Sequence, residues 1–536
     1  MLPKIGKNVL ENLTQGMYNN SLIIYREYIQ NAADQIDKAH ANNAFPNEDL
    51  KIAIRIDERA RRITIEDNAN GIPLAEVKRR LADVADSDKV QGEEKGFRGI
   101  GRLGGLAYCR ALRFVTSYAG EAQQTTMIWD ADRLEKILND RSDHSSAEEI
   151  LDRIIEYRNE PCDERSHFFR VELLDIKDSN DQLLNEEKVR EYISEVAPLD
   201  YGETFDTLAP KIGSFIADLK MRAQTTPPHL QIDEPSLHQY TIFVNGEQLH
   251  RQYSTYIKKN DDEIKDIHAD LIRTLDGEVI AWIWYGISCF KGTLRNKGYR
   301  GLDGLRIRQF NIEIGDGHTL DQFFKDARFN GYFIGEIHTL SPELVPNARR
   351  DYFVENDALV EFEEAVKRYV NENLSKLCRE GSKLNSAYRT IKTFEDSQAE
   401  YNEKHLKGFS SPKEERTLAD ALEKNKQRAQ AAEKDLKKSI EQANKSVGSS
   451  LQKMTALIQR EHGRDQTESD RQEAPAFNVD PKKKSKPKLM VDELSQLKKS
   501  ERKLISTIYE VIRENLPPDQ SEALIKIIHR ELGGKV

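Results

Sequence analysis

The sequence predicts an α/β protein: two successive α/β units and a helical, charged tail. Three observations predict this. An early helical pattern over 21–40 is followed by short alternating apolar runs at 51–57, 61–66, 111–118, 124–129 and 167–173. A second group of strand-like runs follows at 240–245, 278–288, 305–314 and 332–340. From residue 357 onward the periodicity is helical only. At 536 residues the chain exceeds what one core organises. The expected divisions are 1–175, 176–380, a long helix or coiled coil over 381–460, a linker over 461–489, and a small helical module over 490–536.

Charge and cysteine content narrow the class. Lys plus Arg is 81 and Asp plus Glu is 91, a net charge of −10, which disfavours a surface built to grip nucleic acid throughout. Cys109, Cys162, Cys289 and Cys378 are far apart and form no CxxC or Cys/His cluster. Neither a zinc site nor a disulfide framework is expected. The N-terminus, MLPKIGKNVLENL, has no charged-then-apolar signal pattern, and the greasiest run, 279–290, falls short of the ~20 apolar residues that span a bilayer. A cytoplasmic chain without a membrane partner is expected.

In order, residues 4–16 can form a short amphipathic helix through Ile5, Val9, Leu10 and Leu13. In the next helix Leu22, Ile29, Ala33 and Ile36 recur at helical spacing. Glu27, Asn31 and Asp34 stand at i, i+4 and i+7, so they project from one polar side. A carboxylate, an amide and a second carboxylate suit a site where an acid activates water and an amide oxygen meets a metal. The runs 51–57 and 61–66 read as a hairpin, and Asp67 stands where its second strand ends, in IEDNANGI. Asp67 can accept a hydrogen from a ligand, or cap the helix predicted over 74–84. Gly71 lets the backbone approach closely. Residues 85–95, ADSDKVQGEEK, lose apolar periodicity, as a lid does. They lead into GFRGIGRLGG, where Gly96, Gly99, Gly101 and Gly104 can turn backbone N–H groups toward phosphate oxygens. No Gly-Lys-Ser/Thr follows, so this is not a P-loop.

These three motifs, in this order, resemble the GHKL ATPase superfamily of gyrase, heat-shock chaperones, histidine kinases and MutL. The resemblance covers roughly the first third of the chain. GFRG is similar to MutL-type proteins, and the continuation GIG to heat-shock-ninety chaperones. It implies a Bergerat α/β sandwich with ATP between helices and sheet. It implies Glu27 as general base for the attacking water, Asn31 as holder of Mg²⁺, and Asp67 and Gly71 at the adenine. Gly96, Phe97, Arg98, Gly99, Ile100 and Gly101 would then cradle the phosphates. Asp34 would lie deeper, supporting the base side or the adenine edge. One departure stands out: Ala69 replaces the glycine that the family generally has there.

Further on, Asn245–Gly246 marks a hairpin turn. Trp282, Trp284, Tyr285 and Phe290 read as core and interface. LVPNARRDYF, 344–353, resembles the chaperone middle-domain loop whose arginine reaches the γ-phosphate. That implies Arg350, or Arg349 if the register shifts by one. Residues 357–379 read as a helix ended by Gly381. Leu422, Ala429, Leu436, Ile440, Val447, Leu451 and Ile458 continue as one long helix or a coiled coil with a stutter, weakened by Asn425 in its seam. Residues 461–487 read as disordered, with five lysines from Lys482 to Lys488 that can touch nucleic acid or acidic headgroups. The last segment is amphipathic helix split by Pro517–Pro518.

The resemblance implies an ATP- and Mg²⁺-dependent clamp, chaperone-like, in which Arg350 swings in and a homodimer closes on a protein client or partner enzyme, in a stress or defence setting. The alternative is a MutL- or MORC-like nucleic-acid clamp. A histidine kinase does not fit, since no phosphoacceptor helix precedes Glu27. A topoisomerase lacks its acidic cleavage domain here.

Overall fold

A computed structural model describes residues 5–14, 20–84, 101–225, 237–257, 262–294, 301–469 and 488–533. The lid over 85–95, the motif residues Gly96 to Ile100 and the lysines of 482–486 lie outside them. The chain forms two compact units: 1–287 with 292–375, and 288–291 with 376–536.

The first unit begins with α1 (Asn8–Thr14) and α2 (Ile23–Ala41). Ala147 N–H donates to the Ile5 carbonyl and Leu10 enters the core, so this arm packs on its own domain. The α2 helix buries Ile24, Tyr25, Tyr28, Ile29, Ala32, Ala33, Ile36 and Ala39. Each large apolar side chain removed from water contributes ~1.5–3 kcal/mol, which fixes the rotation of the helix and the direction of its polar side. The hairpin β1 (Lys51–Asp57) and β2 (Arg62–Asp67) pairs Ile54 with Ile65. Helix α3 (Val77–Ala82) is shorter than expected. Next come β3 (Cys109–Ser117), β4 (Gln123–Asp130), α4 (Ala131–Asn139), α5 (Ala147–Ile154), β5 (Ile155–Pro161) and β6 (Phe168–Ile176). Residues 155–161 form a sheet-edge strand paired with β4. Its charged side chains face solvent from that edge.

Helices α6 (Glu186–Val196) and α7 (Ala209–Thr225) lead to β7 (Thr241–Val244) and β8 (Glu247–Gln248). β7 was expected in the second unit's sheet, but it pairs in parallel with β1. One eight-stranded sheet results, in the order β5-β4-β3-β6-β2-β1-β7-β8. A parallel partner needs a long crossover, and 177–240 supplies it. With α2 packed against β1 and β2, these layers are the Bergerat-type sandwich.

After a small ribbon, β9 (Tyr256–Ile257) with β10 (Asp262–Glu263), the second sheet is built from β11 (Asp266–Arg273), β12 (Val279–Ile287), β13 (Gly304–Gln309), β14 (Ile312–Ile314) and β15 (Ile334–Thr339). Its order is β11-β12-β15-β13-β14. The run 305–314, read as one strand, is a hairpin that turns at Phe310 (φ 49°) and Asn311 (φ 64°). Trp282, Trp284 and Tyr285 are buried. Helix α8 (Asp357–Tyr369) is capped by the Asn356 side chain, which accepts from Leu359 N–H at 2.9 Å.

In the second unit, α9 (Ser375–Lys407) runs straight through Gly381. That glycine does not end a helix. A Cβ there would lie 2.8 Å from Phe290 Cβ and 3.2 Å from Met454 Sδ, so close packing requires it. Helix α10 (Pro412–Asn444) returns antiparallel, with Asn425 donating to Ser397 Oγ at 2.8 Å. The long helix or coiled coil expected through Leu422 to Ile458 is interrupted at 445–449, where Gly448 takes φ 77° and Val447 is exposed. Helix α11 (Ser450–Ser469) then runs beside α9, His462 stacking on Tyr388. It carries helix past residue 461, where disorder was expected. The module α12 (Lys499–Asn515) and α13 (Pro518–Glu531) buries Val491, Leu494, Tyr509 and Ile525 and docks at the α9–α10 turn, Phe409 N–H donating to the Lys488 carbonyl at 2.8 Å. Lys488 pairs with Glu493 at 2.7 Å.

A Gly381→Ala variant should be less stable by ~1–3 kcal/mol through overpacking, against the ~1 kcal/mol gain usual for an exposed helical glycine. Thermal unfolding of the full chain separates the two signs.

Candidate functional site

The polar side of α2 faces the segment 101–107, a 3₁₀ turn. The Tyr28 hydroxyl pins that turn: it donates to the Arg102 carbonyl at 3.0 Å and accepts from Gly105 N–H at 3.1 Å. The end of the glycine-rich motif is thereby held on the Glu27 side chain. A Cβ on Gly101 would stand 2.3 Å from Glu27 Oε2, which explains the glycine. The Glu27 side chain is 12% exposed, and its Oε1 makes no hydrogen bond among the described residues. An almost dry carboxylate oxygen held only at ion-pair distance, by Arg26 Nε at 4.0 Å and Arg350, with its hydrogen-bonding capacity unused, is chemically suited to accept a hydrogen from water. Asn31 lies one turn on, half-buried.

The second piece comes from the other sheet. Val354 N–H donates to the Val345 carbonyl at 2.7 Å and Asn347 N–H to the Tyr352 carbonyl at 2.9 Å, closing 345–354 into a narrow loop. Asn347 Oδ1 accepts from Arg349 N–H at 3.1 Å. At the tip Arg350 takes φ 54°, a strained value for a side chain with a Cβ. This turns Arg350 inward and leaves Arg349 outside. The Arg350 side chain is 8% exposed, with Nε 3.8 Å from Glu27 Oε1. Arg349 is exposed, and its carbonyl accepts from Arg26 Nη2 at 2.8 Å. Arg350, expected to swing in, stands beside Glu27 in this structure.

The third piece is at the end of β2. Asp67 is 2% exposed and accepts from Ala69 N–H at 3.1 Å. Burial pushes its carboxyl up to about 8; the Ala69 N–H opposes this and neighbouring Glu66 adds to it. Gly71 takes φ 68°, and a Cβ there would sit 2.0 Å from the Ser117 carbonyl oxygen. The glycine is thus required by the chain's own backbone, before any ligand is considered. Ile72 N–H donates to Thr116 Oγ1 at 2.9 Å, and Thr116 donates to the Phe168 carbonyl at 3.0 Å. Asp34 is buried. Its charge acts on Tyr240, whose hydroxyl donates to Asp37 at 2.5 Å.

Glu27, Gly101 and Arg350 therefore meet at one point, while Asp67 and Gly71 form a separate cradle. Two participants were not legible. Arg26 is 5% exposed and holds the arginine loop; its only signal was a charge inside a greasy helical run. His167 Nδ1 lies 3.0 Å from both the Asn68 and Ala69 carbonyls and its ring stacks on Phe45, so it fixes the loop after Asp67. Nothing in the sequence marks it. Among the described residues no three His, Cys, Asp or Glu side chains converge as a metal cage. Mg²⁺ commonly needs only one or two side chains besides phosphate oxygens, and Asn31 fits that demand.

A helix-borne acid opposite a glycine-rich turn, over a mixed sheet with a buried aspartate at a strand end, is the arrangement that the resemblance to GHKL-type ATPases implies. Residues 23–159 match the family of histidine kinase-, DNA gyrase B- and HSP90-like ATPases, and this part of the chain resembles the heat-shock-ninety chaperones. The chaperone protein HtpG of Psychrobacter arcticus is 30% identical over 142 residues, covering 23% of this chain and 22% of that one. HtpG of Chromobacterium violaceum is 27% identical over 202 residues, 34% of this chain and 28% of that one. HtpG of Streptomyces coelicolor is 27% identical over 140 residues, 22% of each. The similarity thus spans less than a third of these relatives. Among the described residues no helix is long and apolar enough to cross a membrane.

Asp67 keeps its proton near neutrality in the folded chain and loses it near pH 4 when unfolded. The native state binds the extra proton between these values, so its contribution is full below about pH 4 and is lost as pH rises through about 8. Asp67→Asn should flatten that decline, and thermal melts from pH 5 to 8.5 read it directly.

Proposed function

We propose that this protein is a Mg²⁺-dependent, ATP-hydrolysing conformational clamp of chaperone-like type. The carrying observation is the meeting of Glu27 and Arg350, a nearly dry carboxylate oxygen without a hydrogen bond 3.8 Å from a guanidinium delivered by the second sheet. In this reading Glu27 Oε1 takes a proton from the attacking water. Arg350, with its planar fixed charge, neutralises the γ-phosphoryl group as it leaves. Both are held by buried scaffolding, so little reorganisation accompanies the step. Asp67 and Gly71 would receive the adenine, and Asn31 would hold Mg²⁺, which supplies charge neutralisation on the phosphates when bound. Asp67 should give up its proton to accept the adenine amino hydrogen. Gly96, Phe97, Arg98, Gly99, Ile100 and Gly101 would complete the phosphate cradle, and turnover would be slow.

The client would be a protein or partner enzyme, in keeping with relatives that are chaperones, and the working form would be a homodimer. Glu27→Ala should bind ATP within about twofold of the parent and hydrolyse it ~10²-fold or more slowly. Retained turnover would remove Glu27 as the base. Arg350→Ala should lower kcat at least ~tenfold with little change in ATP affinity, while Arg349→Ala, keeping its main-chain carbonyl, should be nearly silent. Calorimetry in buffers of different ionisation enthalpy should show proton release on ATP binding, and Asp67→Asn should abolish both the release and tight binding.

A further inference from the structure

Away from the nucleotide cleft, the first unit encloses a fully buried charge cluster centred on Glu336 of β15. Glu336, Arg251 and Arg308 are each 0% exposed. Arg251 Nη1 donates to both carboxylate oxygens, at 2.9 and 3.0 Å, and Arg308 Nε donates at 2.5 Å. The Trp284 indole N–H donates at 3.0 Å, and the hydroxyls of Tyr253 and Tyr201 donate at 3.2 Å each. His338 Nε2 lies 3.1 Å away. Burial alone would raise the Glu336 pKa, yet Arg251 and Arg308 outweigh it and hold the carboxyl well below its usual range. Burying one carboxylate under two guanidiniums is costly unless the geometry is well made, and such a cluster serves specificity of arrangement better than bulk stability.

What the guanidiniums do with their other arms is more telling. Arg308 Nη2 donates to the Glu195 carbonyl at 2.7 Å, and Arg251 Nη2 lies 3.5 Å from the Ala197 carbonyl. Both carbonyls belong to the C-terminal end of α6, where helix carbonyls lack partners and cations are favoured. Arg251 Nη2 also donates to Asn311 Oδ1 at 2.8 Å, and Asn311 Nδ2 donates to the His238 carbonyl at 2.7 Å. The second sheet, through Arg308 and Asn311, therefore meets the end of α6 and the residues His238 and Arg251 that flank β7 and β8 of the first sheet, with Glu336 binding both guanidiniums. From this grip two paths lead to the cleft. Helix α6 packs on α2, and its Tyr192 lies within electrostatic reach of both Arg26 and Glu27. The β13–β14 hairpin, which carries Arg308 and Asn311, holds the arginine loop at root and tip: Gln309 Nε2 donates to the Leu344 carbonyl at 2.6 Å, and Gly315 N–H donates to the Arg350 carbonyl at 2.9 Å.

We propose that Glu336 is a positioning residue for hydrolysis, its clamp of Arg251 and Arg308 on the end of α6 fixing the second sheet so that the β13–β14 hairpin sets Arg350 against Glu27. The catalytic consequence rests on the ATPase reading above; the mechanical link does not.

The test uses the full chain with Glu336→Gln and, in case that variant fails to fold, Arg308→Lys, which keeps a cation beside Glu336 but has no second arm for the Glu195 carbonyl. Without nucleotide, amide exchange over 345–354 should accelerate ~tenfold or more while strands β1 and β2 keep their protection. With ATP, kcat should fall ~tenfold with affinity within about twofold, and adding the same change to Arg350→Ala should have no further effect. Unchanged exchange over 345–354, or additive losses in the double variant, would overturn the proposal. Accelerated exchange in a chain whose parent never hydrolyses ATP would uphold the strut and sink the ATPase reading instead.

Discussion

A carboxylate on the second helix and a guanidinium from a loop more than three hundred residues later stand 3.8 Å apart, each almost out of water. Everything else in the first unit serves or tolerates that approach. Isolated, either charge would be expensive to bury. Together they are affordable only where two sheets are locked in register. The attraction is worth having because the surroundings are dry, and the surroundings are dry because α2, the 101–107 turn and the arginine loop close over it.

The local devices are of two kinds. One is steric: Gly101 and Gly105 admit the Glu27 and Tyr28 side chains where a methyl group would collide, and Gly71 does the same for the Ser117 carbonyl. The other is strain held by hydrogen bonds. Arg350 keeps a positive φ at a cost of ~1–3 kcal/mol, and the loop's own bonds with the Gly315 N–H offset it. A relaxed loop would expose Arg350 as Arg349 is exposed. The same logic reaches the Glu336 cluster, whose desolvation cost is recovered only if every arm is engaged.

Several readings from sequence failed for one shared reason. Gly381 looks like a helix stop, but its neighbours Phe290 and Met454 are remote in the chain and make it a contact residue. The strand at 241–244 gives no sign of which sheet it joins, because a parallel crossover leaves no local mark. Residues 305–314 keep their apolar character through a two-residue turn, so the alternation hides the hairpin. His167 and Arg26 act through main-chain carbonyls, which no sequence pattern displays.

By itself the sequence determined the periodic and the permissive: a helix with an acid and an amide on one side, strands by alternation, glycines where backbone must bend or approach, and the superfamily these resemble. Such features depend on neighbours within a few residues. Only the tertiary structure decided which arginine of the pair turns inward, that it stands beside Glu27, and that one buried carboxylate gathers two guanidiniums at the end of α6. Those outcomes depend on desolvation and on bonds between segments distant in the chain, and both come into being only when the layers meet.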